Sequence, residues 1–564
     1  MECEKTILEI CFVRPSSSPT TSIFGFSEFI SALALLVIVY TVTDIRYRFR
    51  VAVAPLHLFW LTYVLIGVIG FLILLTDVWV TEHWLVPLSL ISQAEWRGIL
   101  GGFFLLLAMQ WLYYAFIKPP IFGKGNYKKF ANELYKLILK GSENELPVIA
   151  NELARSAASL VKLSRETPSS WKDDVDNEKE KRRKADASAY AHDLILLIAN
   201  RKLCRHIVAS SPLTAMAFFE EMAFNQKYSI PIGSFAVNIS TEAILHNDSI
   251  LYHEGEGYIS GLMGYRKDFS QALYGNFRLV EALAHDGRSP LDIPYEFVRS
   301  WNVAQLEVYS RVVLITLQNY LDSNRWNQHS FALYRALKNI ECSCRDVYKL
   351  NNVAQDCFSS DIFLRLKAAV DFVKEAGNLL GQQDTLPPTV LRVRDRQKHR
   401  GDLYDHIANL MFEKILSAAS VKEPEDTCWW IHHNVVWFEF FGFIREGKAW
   451  KIINHKLRRL LYDEIRRLDD LPNYKSSKIL GFCLNVLGPI VRNERYDREQ
   501  NPLHKAIIAW TRKNYLRLRS IQPDVAQSCL LGSISFDEQS ARLVKTYSKG
   551  LSLEVPKEYL ELAT

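Results

Sequence analysis

The chain has 564 residues, of which 49% are hydrophobic, 23% charged and 12% aromatic, and its net charge is +6. This length exceeds what a single hydrophobic core can organise, and the composition excludes an extensively disordered protein. The nine cysteines show neither a zinc-binding spacing nor the pattern of a small disulfide-rich protein. Two or three folded units are therefore expected.

Three apolar runs lie near the N-terminus. Leu58–Thr76 and Ile99–Ile117 each extend over 19 residues without a charge, long enough for a helix of about 28 Å. The first run reaches a comparable length only if it begins near Ile23 and includes Glu28. Two uncharged runs so close together disfavour buried core helices, and the acidic N-terminus disfavours a cleavable signal peptide. We predict a tail over 1–22 and a three-helix transmembrane anchor over 23–118, with spans at 23–43, 57–77 and 98–118.

The basic residues of the connecting loops predict the orientation of this anchor. The first loop carries Arg46, Arg48 and Arg50, whereas the second carries Arg97 alone, beside three acids. Because lysine and arginine accumulate on the cytosolic side, the N-terminus is expected outside and the C-terminal region in the cytosol. No eukaryotic targeting feature is visible, which favours a bacterial inner membrane. The bilayer is thus the first predicted partner.

Two polar side chains fall within the predicted spans. Ionisable groups inside a membrane are costly and often mark a pathway. Glu28 lies near the outer end of the first span, where it could reach headgroups, and Gln110 lies in the third. We predict that they are rim or interface residues, with a pore-lining role as the alternative.

The remainder of the chain follows the 3.6-residue apolar period of helices and predicts an all-α cytosolic region. The hairpin-like stretch Ser249–Leu262, which contains Glu-Gly-Glu-Gly, predicts at most a minor β-hairpin. The predicted helices are Tyr127–Lys140, Leu146–Leu163, Asp186–Val208, Pro212–Asn225, Asp268–His285, Glu296–Asn324, Gln328–Leu350, Asp361–Leu380, Leu403–Ala419, Thr427–Phe443, Lys448–Asp469, Lys475–Val491, Pro502–Arg519 and Phe536–Tyr547.

Two breaks in composition suggest where this region divides. Residues 164–185 are polar and dense in both charge signs, which is typical of an exposed linker. The segment Gly381–Pro388 is a second candidate linker. We therefore predict membrane-proximal helices over 119–163, a charged linker over 164–185, a helical domain over 186–382 and a basic C-terminal subdomain over 389–564.

No catalytic, nucleotide-binding or metal-binding motif of known spacing occurs in the sequence. His432 and His433 form the most distinctive polar cluster, but adjacent helical residues point about 100° apart and cannot easily share one ion. Packing within an aromatic-rich helix is the favoured interpretation. His253 and Glu254 could form a polar site, although an exposed turn is the default. No catalytic residue, metal ligand or cofactor is predicted, so an enzyme is disfavoured without being excluded.

The C-terminal part carries an excess of positive charge. Residues 390–520 contain 25 lysines and arginines against 16 acids, a net charge of +9. Such a surface could bind nucleic-acid phosphates, lie against an anionic leaflet, or be solvated and internally paired. The third interpretation is favoured and nucleic acid is disfavoured. The candidate residues for an anionic partner are Arg392, Arg394, Arg396, Lys456, Arg458, Arg459, Arg512, Lys513 and Arg517.

Together these features predict a membrane-anchored sensor or docking protein that couples a protein partner, or a second copy of itself, to the bilayer. The first alternative is an oligomeric pore gated by the cytosolic region, which Glu28→Gln would alter. Two further alternatives are an enzyme without a recognisable motif and a membrane-tethered nucleic-acid binder. Salt-sensitive binding that is lost on reversing Arg458 and Arg459 would distinguish the last of these.

Overall fold

The computed structural model describes residues 5–7, 10–13, 24–42, 44–82, 84, 86–87, 93–166, 186–254, 268–323, 329–353, 355–383, 386–391, 401–442, 447–491, 500–548 and 554–563. The chain is mostly helical (72%), which confirms the predicted helical character. Its internal contacts divide it into two units, Met1–Phe235 and Ala236–Thr564. Most of the predicted linker over 164–185 lies outside the described residues.

The first unit combines a small sheet with a series of helices. Three short strands, β1 (Lys5–Ile7), β2 (Ile10–Val13) and β3 (Val86–Pro87), pair antiparallel in that order. The helices are α1 (Phe26–Val42), α2 (Ile45–Ala52), α3 (Leu58–Thr81), α4 (Gln93–Leu112) with a π-helical continuation (Tyr113–Ile117), α5 (Tyr127–Lys140), α6 (Leu146–Leu163), α7 (Ala187–Ile198), α8 (Arg201–Ser210), α9 (Pro212–Asn225) and α10 (Gly233–Leu245), which crosses into the second unit.

Two helices are long and apolar enough to cross a membrane, where the sequence predicts three. They are Trp60–Thr81 and Ala94–Ile117, with mean hydropathies of 2.3 and 1.6, and only 11% and 17% of these windows are buried. Helix α1 is shorter, with 17 residues and an apolar part limited to Phe26–Ile38. At its start the Glu28 carboxylate accepts the backbone N–H of Gly25 at 2.9 Å, which is one of the two bonds of a capping box. Glu28, which the sequence places inside the predicted span, therefore lies in the first turn of α1.

A buried ion pair joins α2 and the π-helical end of α4 to α6. Helix α2, predicted as a loop, places Arg50 beside Glu152, and both side chains are buried. Arg50 donates from Nε to Glu152 Oε2 at 3.0 Å and from Nη2 to Oε1 at 2.6 Å. Its third bond, from Nη1 to the Ala115 carbonyl at 2.7 Å, satisfies an acceptor in the last turn of the π-helix. One guanidinium thus connects α2, α4 and α6.

Backbone contacts reinforce this junction around the α2–α3 connection. The Asn126 amide donates to the Val53 carbonyl at 2.8 Å. The Lys129 ammonium donates to the carbonyls of Ala54 and Pro55, each at 3.1 Å. The start of α5 is therefore fixed against the turn between α2 and α3, which makes the junction a continuous folded element of the first unit.

The second unit is a helical assembly that ends in a three-stranded antiparallel sheet. Its helices are α11 (Ile250–His253), α12 (Asp268–Tyr274), α13 (Phe277–Ala284), α14 (Tyr295–Val298), α15 (Val303–Asp322), α16 (Phe331–Cys342), α17 (Asp361–Gly381), α18 (Leu403–Ala418), α19 (Glu425–Trp429), a π-helix (Trp430–Trp437), α20 (Phe438–Phe441), α21 (Lys448–Arg466), α22 (Tyr474–Leu487), α23 (Asn501–Ile521) and α24 (Pro523–Gln527). Short 3₁₀ turns lie at Val347–Leu350, Gln355–Ser359 and Arg467–Asp469, and the strands are β4 (Ile534–Asp537), β5 (Arg542–Thr546) and β6 (Lys557–Glu561), in the order β4-β5-β6.

Two predictions about local structure are wrong. The helix predicted over Phe536–Tyr547 is a β4–β5 hairpin, in which Phe536 pairs with Leu543. Asp537 Oδ1 accepts the N–H groups of Gln539 and Ser540, so its side chain forms the turn. The hairpin predicted over Ser249–Leu262 begins instead with helix α11, and its part from 255 onward lies outside the described residues.

Helices α17 and α21 pack closely because Gly377 leaves room for the Trp450 indole. A Cβ atom at position 377 would lie within 2.7 Å of Trp450 Cε2. Gly377→Ala is therefore expected to lower the free energy of unfolding by about 1–3 kcal/mol, despite the better helix propensity of alanine. Gly381→Ala in the same helix, where nothing lies within 4 Å, is the control and should be neutral or stabilising. Equal denaturation midpoints for the two variants would contradict this packing argument.

Candidate functional site

A polar cleft of about 460 Å³ lies between α16, α18 and α21 in the second unit. Helix α16 contributes Tyr334 and Lys338, α18 contributes His406 and Glu413, and α21 contributes Arg459. Ligand sites are commonly concave and carry a few convergent polar groups on an otherwise apolar wall. Leucines from all three helices provide that wall here, so the cleft is the leading candidate site in the described chain.

The floor of the cleft is fixed by a buried lysine. Asp402 and Asp405 form a capping box at the start of α18, where each side chain accepts the other residue's backbone N–H. The Lys456 ammonium donates to Asp405 Oδ1 at 2.6 Å, to Asp402 Oδ2 at 3.3 Å and to the Val390 carbonyl at 3.0 Å. These three acceptors use all its N–H groups, so Lys456 supports the cleft wall and has no donor left for an anionic partner.

One end of the cleft is lined by rings. His406 lies 5.4 Å from His329 and 5.2 Å from Tyr334, measured between ring centroids. Burial, and then the neighbouring His329, lower the pKa of His406 to about 4, although Asp405 and Asp402 act in the opposite direction. The imidazole is therefore neutral at neutral pH. It offers a polar, uncharged face to a ligand.

The opposite end carries charges of both signs. Lys338 pairs with Glu341 at 2.5 Å, and Lys475 of α22 pairs with Glu413 at 3.1 Å. Burial is the largest single influence and lowers the pKa of Lys338, but the hydrogen bond to Glu341 and the charges of Glu341 and Glu413 together outweigh it, so this pKa is raised. Within the described chain no side chain pairs with the exposed guanidinium of Arg459. Arg459 therefore remains available to an anionic group of a ligand.

The residues that line this cleft combine charged, neutral polar and apolar groups. No serine, threonine or cysteine is found among them, but carboxylates, lysines, a histidine and a tyrosine are. The acids are Glu341, Asp405, Glu413 and Asp463, and the bases are Lys338, Lys456 and Arg459. The exposed Arg459 and the leucine walls can contact a ligand that carries an anionic and an apolar group.

His432 lies in a closed cluster elsewhere in the second unit. It sits in the π-helix with no exposed surface, and its Nε2 lies 2.9 Å from the Ala418 carbonyl. Its Nδ1 lies 3.1 Å from Asn485 Nδ2, and Cys428 Sγ is 3.7 Å away. Burial lowers the pKa of His432 to about 4.

Cysteine, histidine and asparagine also make up the triads of some proteases, but this cluster lacks their electrostatics. A reactive cysteine needs a thiolate beside an imidazolium. Here burial raises the pKa of Cys428 to about 12 while that of His432 is lowered, so neither ion forms near neutral pH. Cys428 and His432 are fully buried, and Asn485 is only 1% exposed. The cluster is a packed polar core.

The two adjacent histidines do not share a site. His433 stacks on Trp429 with centroids 4.9 Å apart and planes 7° apart, and its Nδ1 contacts the Asn434 side chain. His432 points into the core from the same π-helix. The described residues contain no group of three or more histidine, cysteine, aspartate or glutamate side chains that could hold a metal ion.

His253 and Glu254 also point to different surroundings. The buried Glu254 carboxylate accepts the backbone N–H groups of Phe269 and Ser270, as well as the Ser270 hydroxyl. It thereby caps the N-terminus of α12. His253 is exposed and lies 3.0 Å from Asp248. These contacts give Glu254 a structural role and place the two side chains in different surroundings.

The other candidate residues are dispersed over the chain. Glu28 caps α1, and Gln110 is half-buried in α4. Arg512 and Lys513 are exposed on α23, Arg517 lies 3.7 Å from Asp469, and Arg458 is half-buried. Three predicted residues, Arg392, Arg394 and Arg396, lie outside the described residues. Of the described cations in the predicted set, Lys456 and Arg459 are the two that line the cleft.

Sequence reasoning did not identify several residues on which these sites depend. The Asp-Leu-Tyr-Asp spacing of Asp402 and Asp405 is a detectable capping signal. His329 lies just before α16 and Tyr334 within it, whereas His406 comes from α18, so only the tertiary fold brings the three rings together. Arg50 was noticed only for its charge, because its partner Glu152 lies 102 residues away.

Comparisons with known proteins identify no counterpart. No protein-family model, no curated protein and no solved structure matches the chain. The function must therefore be inferred from the residues and their geometry.

Proposed function

We propose that this chain is a membrane-anchored protein whose helical second unit binds a partner and couples it to the bilayer. The observation that carries the proposal is the exposed apolar surface of α3 and α4. Their apolar windows are at most 17% buried, whereas core helices elsewhere in the chain bury one full face. Water disfavours so large a continuous apolar surface, and lipid does not.

The short helix α1 is proposed as a third span. Its 17 residues cover about 26 Å, a few ångströms less than a typical hydrocarbon core. A small local thinning of the bilayer accommodates such a helix at modest cost. We propose further that the arginines of α2 lie on the cytosolic side, with the N-terminus outside, since lysine and arginine accumulate in cytosolic loops. A bacterial inner membrane is the proposed setting.

The Arg50–Glu152 pair supports the coupling part of the proposal. A displacement of the spans relative to α6 would separate two buried charges, which is strongly unfavourable. Movement of α5 and α6 is therefore transmitted to the inner ends of α3 and α4. This is the behaviour required of a protein that links a folded region to the bilayer.

Arg459 supports the binding part of the proposal. Its guanidinium is exposed and has no partner among the described side chains, and partners with an acidic side chain or carboxylate fit it by charge. The surrounding leucines provide apolar contact, so a short acidic and apolar peptide segment is the proposed class of partner.

Fractionation and partner recovery test this proposal together. The full chain should remain with membranes after an alkaline carbonate wash and require detergent for release. Crosslinked complexes recovered from native membranes should lose a partner with Arg459→Glu and keep it with Arg512→Glu, an exposed control on α23. A chain that stays in the supernatant without detergent, or identical partners for both variants, would overturn the anchoring or the cleft assignment respectively.

A further inference from the structure

An apolar groove of about 690 Å³ lies among α1, α3 and α4. Helix α1 contributes Leu33 and Val37, α3 contributes Thr62 and Gly67, and α4 contributes Trp111. In its wall Trp111 Nε1 donates to the Thr62 hydroxyl at 2.9 Å, and Tyr63 is exposed. The groove therefore presents a mainly apolar surface.

Two packed clusters, one towards each end of the helices, hold α1, α3 and α4 together around the groove. Towards the outer side, Phe29, Ile69 and Phe104 belong to one buried cluster, and the Phe29 ring lies against Gly70. Towards the inner side, a second cluster joins α2 to the ends of α3 and α4 around Val51, Ala54, Leu58 and Ala115. Between these clusters the inner half of α1 is exposed, with Val37 at 50%. A Cβ atom at Gly67 would have nothing within 4 Å.

Two exposed cations follow the helix ends nearest to Val37 and Thr62 of the groove. Val37 is five residues, about 8 Å, from the end of α1, and Thr62 is four residues, about 6 Å, from the start of α3. Arg48 of α2 and Lys118 after the π-helix are both exposed just beyond these helix ends. Asp44 is the exposed acid on this segment. From these helix offsets we infer that both cations lie near the end of the groove formed by Val37 and Thr62, at the depth of a lipid headgroup when the helices lie in a bilayer.

We propose that this groove binds an anionic phospholipid, with an acyl chain against α1, α3 and α4 and the headgroup at Arg48 and Lys118. The inference rests on the proposed membrane anchoring, because lipid reaches the groove only if these helices lie in a bilayer. Anionic headgroups match the positive rim, and juxtamembrane basic residues attract such lipids. A helix from a second copy fits less well, since a helix with its side chains is about 10 Å wide and this volume holds less than two turns of it.

The test measures the phospholipid retained by the full chain after purification in mild detergent, by lipid mass spectrometry and phosphate content. The chain should retain anionic phospholipid in preference to zwitterionic phospholipid. Gly67→Phe fills the groove and should reduce the retained lipid several-fold. Gly98→Phe is the matched control, because Gly98 is also a span glycine with nothing within 4 Å but does not line the groove.

The headgroup part is tested by the double substitution Arg48→Gln and Lys118→Gln. The preference for anionic over zwitterionic lipid should fall about thirtyfold, since each of the two basic residues contributes separately to this attraction. Lys162→Gln with Lys202→Gln, two exposed lysines of α6 and α8, is the control and should leave the preference unchanged.

Each outcome bears on one part of the inference. Retention that Gly67→Phe leaves unaltered would overturn the acyl-chain site, and retention without headgroup preference would overturn the role of the cations. A dimer lost on Gly67→Phe, with no lipid retained by either form, would assign the groove to a second copy. If the chain needs no detergent at all, the proposed anchoring itself fails, whereas a membrane-integral chain without bound lipid refutes this inference alone.

Discussion

Replacing Glu152 with alanine is expected to lower the free energy of unfolding of the full chain in detergent by about 3–5 kcal/mol. The substitution leaves Arg50 buried without its counter-charge and removes two of its three hydrogen bonds. For a unit of this size the loss corresponds to a fall of roughly 10 °C in the unfolding midpoint. Thermal unfolding monitored by circular dichroism measures it directly.

The two partners should not be equivalent. Arg46 Nε lies 3.7 Å from Glu152 Oε1, so Arg46 can partly replace the charge lost in Arg50→Ala. No second carboxylate is placed to do the same for Arg50 in Glu152→Ala among its described hydrogen-bond and ion-pair partners. We therefore expect Arg50→Ala to be the less damaging substitution. Replacing both residues, as Arg50→Met with Glu152→Leu, should cost less than Glu152→Ala because it leaves no buried charge unpaired.

An exposed ion pair on α5 provides the control. Glu133 and Lys136 lie 2.7 Å apart, but their side chains are 32% and 63% exposed. Glu133→Ala should change stability by at most about 1 kcal/mol, since exposed pairs are solvated and screened. If Glu152→Ala and Glu133→Ala have the same midpoint, the Arg50–Glu152 pair does not hold the junction together.

The sequence predicted helices most accurately where local signals coincide with apolar periodicity. The bounds predicted for α5, α6 and α9 are confirmed, and α6 and α9 each begin with a proline in their first turn. In these segments the local preference of the chain and its tertiary packing agree. That agreement is what makes a helix readable from sequence.

Other helices were predicted as continuous where the structure divides them at an asparagine. Asn200, Asn276 and Asn302 each accept a backbone N–H of the following helix through the side chain, and each therefore begins a new helix. The apolar period continues across these positions, so periodicity alone cannot detect the break. The asparagine side chain determines where the new helix begins, because it accepts backbone N–H groups that would bond to carbonyls of the preceding turn in an uninterrupted helix.

The candidate cleft was less accessible to sequence reasoning than the fold. Lys456 and Arg459 were noticed as part of a basic stretch, but charge density could not show that one is buried by two aspartates and the other left unpaired. That distinction depends on the capping box of α18, because Lys456 bonds to Asp405, which lies 51 residues earlier in the chain. Long-range pairing of this kind leaves no periodic trace in a single sequence.

Acidification from pH 7 to pH 5 is expected to destabilise the second unit through His432 and His406. The pKa of each is lowered to about 4 in the folded chain, from an ordinary value near 6.5 in the unfolded chain. Below pH 6.5 the unfolded chain therefore takes up protons that the folded chain does not. Stability is fully present above pH 6.5 and is lost as the pH falls towards 4, by about 2 kcal/mol per histidine at pH 5.

Chemical denaturation of the full chain at pH 7, 6 and 5 measures this dependence, and substitution separates the two histidines. His432→Gln keeps a polar side chain of similar size beside the Ala418 carbonyl but cannot take up a proton. It should be less stable than the unaltered chain at pH 7 and lose part of the slope between pH 6.5 and pH 5. His406→Asn should remove a second part, whereas His253→Gln, at an exposed position, should leave the slope unchanged. A slope that survives both His432→Gln and His406→Asn would show that burial does not keep these imidazoles neutral, because burial is the largest cause of each lowered pKa.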